Sequence, residues 1–595
     1  MTVPPGFVWI AQNAPRFLLP PTLTYAALHI LSQQHRLALP HWLDVVACAL
    51  SLPGAFVIAV LYTKFRDTRA AAARGAVLAP MVPSRLPGSI DKVTQLARNF
   101  EVGYISDVQR RDAETVGNTM STPVLWQNRI QTSEPEYVKA ILATQFKSFE
   151  KGPVLFEQFK SLFGIGVFNS DGDMWKFHRT MTRPFFNKDR ISHFDAVDRH
   201  AEDALGQTKA RLREGLPIDF QDMVHRFTLD SATEFLFGKD VRSLSAGLIY
   251  PPNSPLAVTS TAKNHPANVF ADAFMESQIA TGQRFFWAGA WRLREFWTDK
   301  VAQKSAIVNQ FFEPVVEAAL ERKRERQAKG LDQGQDKAEV DEEDTLLDHL
   351  VKVTDDKKLI RDELFNIMLA GRDTTACTLT MSVYMLSQHP DILRRLREEV
   401  LTKVGPSSRP TTESIRDMKY MRAFINEVLR LYPPVPNNSR ATGSKGTVLP
   451  GINGQPPIYV PPNTTAGYSV FLMQRRKDFW GPDAELFDPD RFIDERLRKY
   501  LTPNPFIFTP FNAGPRICLG QQFAYNETSY FLVKLLQAFS TIELAGDVQP
   551  KPPAEWSEAK GRQAMEKVMI KIHLTMYIHG GLWVRMGEAK DVEEA

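Results

Sequence analysis

The sequence predicts a mainly α-helical fold with small β-sheets (an α+β chain), preceded by an N-terminal membrane anchor. Three observations carry that expectation. Most segments beyond residue 90 space their apolar residues at the helical period. Strand-like patches are short and come late. An apolar run near the N-terminus ends in a row of basic residues.

The anchor comes first in the chain. Trp42 to Tyr62 is almost wholly apolar and about long enough for a hydrocarbon layer of roughly 30 Å. Asp44 falls at its edge and Pro53 inside it, and a spanning helix tolerates both at those places. Trp42 and Tyr62 stand where interfacial aromatics belong. Lys64, Arg66, Arg69 and Arg74 follow at once, which puts the downstream chain on the cytosolic side. A cleaved signal peptide would carry its basic residues before the apolar run. A second, shorter apolar stretch, Phe17 to Leu31, carries Pro20 and Pro21 near its start and reads as a second pass, a re-entrant segment or an interfacial helix. The expected division is an anchor over 1–75 (apolar segments 17–31 and 42–62), a Pro/Gly linker over 76–90, and a catalytic domain over 91–595.

Within that domain, helical periodicity covers Pro135 to Leu142, His193 to Arg213 and a long run from Leu359 to Ser387. Strand-like patches are Val568 to Tyr577 and Leu582 to Met586, joined through Gly580 and Gly581. Glu321 to Asp344 is dense in charge and reads as a solvated helix end with a mobile loop. The net charge of +4 over 595 residues asks for no nucleic acid. The three cysteines, Cys48, Cys377 and Cys518, are too sparse for a disulfide framework. With no CxxC pair and no HExxH, a zinc site has no support either.

The strongest chemical signal is Phe511-Asn512-Ala513-Gly514-Pro515-Arg516-Ile517-Cys518-Leu519-Gly520. Gly514 and Gly520 permit tight backbone beside a flat cofactor. The helical spacing of Phe523 to Ala538 puts Cys518 at the start of a helix, where backbone amides favour a thiolate. Arg516 adds a positive charge suited to a carboxylate. Upstream, Arg361 to Gln388 reads as one helix containing Ala370-Gly371-Arg372-Asp373-Thr374-Thr375. Gly371 lacks a side chain, and Thr374 can bond back to the Ala370 carbonyl, so both loosen the helical ladder. An acid beside an alcohol, Asp373 then Thr374, can relay protons. Arg372 has no assigned role and reads as solvent-facing or salt-bridged. Glu427 and Arg430 lie three apart among apolar neighbours, which predicts a buried pair. Trp175 and Arg179 share one helical face and offer donors for carboxylates.

Together these motifs, in this order, resemble the cytochrome P450 family over roughly residues 90 to 590. Phe511, Gly514, Arg516, Cys518 and Gly520 match its haem-binding signature. The resemblance implies a prism-like, mainly helical catalytic domain holding haem b, with Cys518 as axial iron ligand. It implies haem-propionate contacts from Trp175, Arg179, Arg440 and Arg516, with Phe511 against the cofactor. It implies Asp373 and Thr374 as the acid–alcohol pair, and Arg491 as the third member of a structural Glu427–Arg430–Arg491 cluster. Leu359 to Asn366, Arg372 and Pro433 to Arg440 are similar to the fungal microsomal branch. That branch implies insertion of one oxygen atom of O₂ into alkanes, fatty acids or aromatic hydrocarbons at the endoplasmic reticulum membrane, with the catalytic domain facing the cytosol. The chain has no GxGxxG fingerprint, so the expected electron donor is a separate NADPH–cytochrome P450 reductase, with cytochrome b5 as a second donor. Phe237 to Trp287 is expected to include the lid over the substrate channel. Phe365, Met368, Leu369 and Val435 are expected to face the haem. Two other readings stand beside this one: a haem-thiolate isomerase or dehydratase acting on a peroxide without reductant, and a membrane haem-binding scaffold. The acid–alcohol pair argues against both.

Overall fold

The computed structural model describes residues 3–35, 40–187, 194–259, 264–329 and 344–590. Part of the charged stretch from Glu321 to Asp344, part of the expected lid, and His193 therefore lie outside the described residues.

A helix over His41–Ala72 is long and apolar enough to cross a membrane, and none of its apolar window is buried in the protein. The second apolar stretch, Phe17 to Leu31, falls inside a single helix, Pro5–His35, that contains Pro15, Pro20 and Pro21. That helix touches the catalytic domain. The Gly6 amide donates to the Phe296 carbonyl at 2.9 Å, and Phe7 packs against Phe296 and Trp297. The Pro/Gly-rich passage is also bonded into the domain. Val77–Leu78 pairs in parallel with Ile458 and Tyr459, the Val82 amide donates to the Ser121 carbonyl, and Val82 is buried.

Helices make up most of the domain. The longest, Lys357–Gln388, runs through its middle and is buried over most of its length. The Asp356 carboxylate caps its start by accepting from the Lys358 and Leu359 amides. Pro390 begins a new helix instead of extending the old one. Around its second half the core joins Tyr384 and Leu386 to Phe424, Val428, Phe531 and Leu535, all essentially without exposure. Each such side chain contributes roughly 1.5–3 kcal/mol by leaving water. The helix Gln521–Ala538 follows the cysteine loop and packs against this core.

The sheets are small. The largest has five strands in the order Thr119–Ser121, Arg129–Thr132, Thr465–Ser469, Asn437–Thr442, Phe149–Glu150. The patch from Val568 to Tyr577 is a hairpin, not one strand. Ile570–Ile572 pairs with Met576–Ile578, and the His573 Nδ1 accepts from the Leu574 and Thr575 amides, which closes the turn. The last strand, Trp583–Glu588, pairs elsewhere, with Phe539–Leu544 and Ile218–Asp219.

Candidate functional site

One large cavity, of about 530 Å³, lies between the long central helix and the cysteine loop. Cys518 faces it. The loop holds this position through its backbone. The Cys518 amide donates to the Phe511 carbonyl at 3.0 Å, and Phe511 packs on Tyr525 of the following helix. Gly514 is required here for two reasons. Its φ of +67° is left-handed, and an added Cβ would sit 2.0 Å from the Leu142 carbonyl oxygen. Gly514→Ala is therefore expected to displace the loop and lower haem-loaded yield severely. The haem-to-protein absorbance ratio of purified protein measures it, and a normal ratio would show that the loop tolerates the methyl.

Opposing influences act on the sulfur. Burial pushes the Cys518 thiol up, and this outweighs the opposing Gly520 amide and Arg179 charge. Helix-start amides are present, as the sequence implies, but desolvation is larger.

Cations crowd one edge of the cavity. Trp175 and Arg179 share the helix Gly172–Thr182, and both line the cavity. The His178 Nδ1, between them, lies 2.8 Å from the Glu363 carboxylate, which ties that helix to the long one. Arg440, from the strand Asn437–Thr442, donates to the Asn438 side chain and the Ser439 carbonyl. Arg516 donates to Asp171 at 2.7 Å and to the Ser170 carbonyl, and stacks over the Trp175 ring. Lys151 joins them, although nothing in the sequence pointed to it. Burial first, then Arg440 and Arg516, push its amine well below the usual lysine range. Burial and Arg440 also push Arg516 down to about 10.

Against four cations stand only Asp171 and Glu150 among the groups that act on Arg516 and Lys151. The Arg516 Nε is buried without a partner. Such a cluster is short of negative charge, and two carboxylates supplied by a cofactor would complete it. The residues present thus fit haem: Cys518 could bind its iron, and the cations could meet its two propionates.

On the long helix, Thr374 lines the cavity and donates to the Ala370 carbonyl at 2.8 Å. Asp373 does not line it. Its carboxylate accepts from Gln278 at 2.7 Å and from Arg372 at 3.0 Å, pointing toward the helix Pro266–Arg284. Burial pushes the Asp373 carboxyl up, against both partners. Arg372 is salt-bridged and buried, and stacks over Phe274. Of the four residues expected to face the haem, Leu369 and Val435 line the cavity. Phe365 and Met368 do not, because their side of the helix packs into the core with Phe274 and Phe312. The cavity side instead carries Ile367, Ala370, Gly371, Thr374, Thr375 and Thr378.

The family model for cytochrome P450 matches residues 99–568. The chain belongs to the cytochrome P450 family. It is 36% identical over 468 residues to cytochrome P450 52A13 of Debaryomyces hansenii, covering 77% of this chain and 81% of that one. It is 36% identical over 485 residues to cytochrome P450 52A5 of Candida maltosa, covering 79% and 82%. It is 35% identical over 504 residues to the cytochrome P450 monooxygenase himC of Aspergillus japonicus, covering 84% and 81%. The family's enzymes are haem-iron monooxygenases that take electrons from a redox partner.

In this P450, Glu427, Arg430 and Arg491 come together with no exposure. Glu427 accepts from Arg430 Nε at 2.6 Å, from Arg430 Nη2 at 2.8 Å and from the Asp488 amide at 2.9 Å. Arg491 stands 3.7 Å away and gives its hydrogen bonds to Asp483 and the Trp480 carbonyl. A further buried acid escaped the sequence reading. Glu527, on the helix after Cys518, accepts from Ser231 at 2.5 Å, and burial pushes its carboxyl up to about 7. A charged residue in a helical pattern normally faces solvent, so its burial gave no local signal.

Proposed function

We propose that this P450 inserts one oxygen atom of O₂ into long, apolar substrates such as alkanes, fatty acids or aromatic hydrocarbons. The reading rests on the cavity, where Leu96, Phe100, Val124, Phe159, Phe163 and Phe235 surround the space reached by Thr374 and Cys518. Haem b, bound through Cys518 and the Trp175, Arg179, Arg440, Arg516 and Lys151 rim, supplies the oxygen-activating chemistry. The remaining work belongs to the chain. Apolar walls exclude water and orient the substrate. Thr374 holds a hydroxyl proton at the cavity surface. Asp373, kept behind it by Gln278 and Arg372, can store the next proton because burial raises its carboxyl.

Electrons come, in this reading, from an NADPH–cytochrome P450 reductase, with cytochrome b5 as a second donor. His41–Ala72 anchors the enzyme in the endoplasmic reticulum membrane, and the basic residues after Tyr62 keep the domain in the cytosol. The test is turnover of hexadecane and hexadecanoate in microsomes with reductase and NADPH. Product without NADPH, from an organic peroxide, would replace this reading with the isomerase one. Thr374→Ala is expected to keep NADPH consumption while product per NADPH falls roughly tenfold. Unchanged coupling would remove Thr374 from proton delivery.

A further inference from the structure

The turn of the C-terminal hairpin enters the same cavity. Ile570–Ile572 pairs with Met576–Ile578, and His573, Leu574 and Thr575 between them line the space. The hairpin is fixed at its root. Glu566, shortly before the first strand, accepts from the Tyr104, Tyr384 and Tyr432 hydroxyls, each at 2.9 Å. The turn also lies close to the helix Pro266–Arg284, where a Cβ on Gly282 would stand 3.4 Å from the His573 carbonyl oxygen. A ring held this way is preorganised, so a bond it makes to a ligand costs little further ordering.

His573 is 7% exposed. Its Nδ1 accepts from the Leu574 amide at 2.8 Å and from the Thr575 amide at 3.2 Å. The neutral ring therefore carries its proton on Nε2. Burial first, then the charge of Arg372, push the imidazole down to about 3, and no carboxylate acts on it, so the ring stays neutral. The ring also stacks on Tyr577, with centroids 4.8 Å apart. Among the described residues nothing accepts from Nε2, because every hydrogen bond of this side chain goes to Nδ1. The cavity's hydroxyls differ: Thr374 and Thr378 spend their protons on the Ala370 and Thr374 carbonyls, each at 2.8 Å. An enclosed N–H without an acceptor is costly, and a ligand that brings an acceptor relieves that cost. A saturated hydrocarbon brings none. The donor is uncharged, so it asks for an acceptor oxygen and not for an anion.

We propose that the His573 Nε2–H donates a hydrogen bond to a neutral acceptor oxygen of the substrate, a ketone, ester or ether, so that this enzyme favours long apolar molecules carrying such an oxygen. The inference rests on the proposed oxidation of long, apolar substrates and specifies a class among them. The apolar walls hold the hydrocarbon part, and His573 fixes one oxygen at the turn. The carbon presented toward Cys518 is then set by its distance from that oxygen along the chain.

Substrate-binding difference spectra of the full-length haem-loaded enzyme test it, with 2-pentadecanone, 8-pentadecanone and pentadecane as probes. Wild type is expected to bind the better ketone within about twofold of pentadecane, or more tightly. In a cavity without a donor the carbonyl would lose its bonds to water unreplaced, and the ketone would bind at least about tenfold more weakly. His573→Asn keeps an acceptor for the two turn amides, but its shorter side chain cannot place an N–H where Nε2 stands. It should weaken the ketone by about tenfold and leave pentadecane within about twofold. Equal weakening of ketone and alkane, or unchanged ketone binding, overturns the donor. If the variant fails to load haem, the wild-type comparison decides alone, and a ketone bound more than about twofold more weakly than the alkane overturns the donor. Binding of pentadecane without either ketone overturns the donor but leaves the proposed function standing. Binding of none of the three overturns both.

Discussion

Cys518→Ser is expected to lower monooxygenase turnover by at least about 10³-fold. The reduced protein with carbon monoxide should also lose the absorption band that marks thiolate ligation. The argument is one of position and replaceability. Cys518 is the cysteine whose sulfur faces the cavity. Cys377 is buried within the long helix, and burial pushes its thiol far up. Cys48 lies in the helix His41–Ala72. Neither can substitute for it. Serine preserves the loop's backbone bonds, including the Cys518 amide to the Phe511 carbonyl, so the loss isolates the sulfur and not the fold. An alcohol is far harder to ionise than a thiol and donates less electron density to a metal. A serine variant that kept the thiolate band and normal turnover would end the assignment of this residue as the iron ligand.

Glu427→Ala is expected to destabilise the domain by roughly 3–5 kcal/mol, because removing one partner strands buried charge. Here the stranded charge is double. The Arg430 and Arg491 guanidinium groups both face Glu427 with no exposure, and the Arg491 Nε has no hydrogen-bond partner. The Asp488 amide would lose its acceptor too. A domain whose margin is only about 5–15 kcal/mol would lose much of it. The expected result is little haem-loaded protein and a lower denaturant midpoint in whatever folds. Glu427→Asp should lie between, since it keeps the charge but shortens the reach. A Glu427→Ala protein with wild-type haem content and midpoint would show that the cluster is dispensable for folding.

The parts legible in the sequence were contiguous. The cysteine loop was readable because its demands are local: a glycine at φ +67° packed on the Leu142 carbonyl, and an arginine and a cysteine at set spacing. The Glu427–Arg430 pair was readable because helical spacing puts them on one face. The long helix was readable from periodicity, to within two to four residues at its start. Its facing was not. A helix buried on almost every side carries no amphipathic stripe, so Phe365 and Met368 could not be told from Ile367 and Ala370 until their neighbours were in place. The final strands misled for a similar reason. Val568 to Tyr577 is apolar enough for one strand, and only the His573 turn divides it.

What the sequence determined by itself was the cysteine loop and the family to which it belongs, since short-range geometry fixes residue types there. The tertiary structure alone decided the charge balance. Lys151, Arg179, Arg440 and Arg516 come from four separated segments, and the strand Arg129–Thr132 pairs on one side with Thr465–Ser469, more than three hundred residues away in the chain. Coulombic interactions depend on distance in space and on burial, and neither is a property of sequence separation.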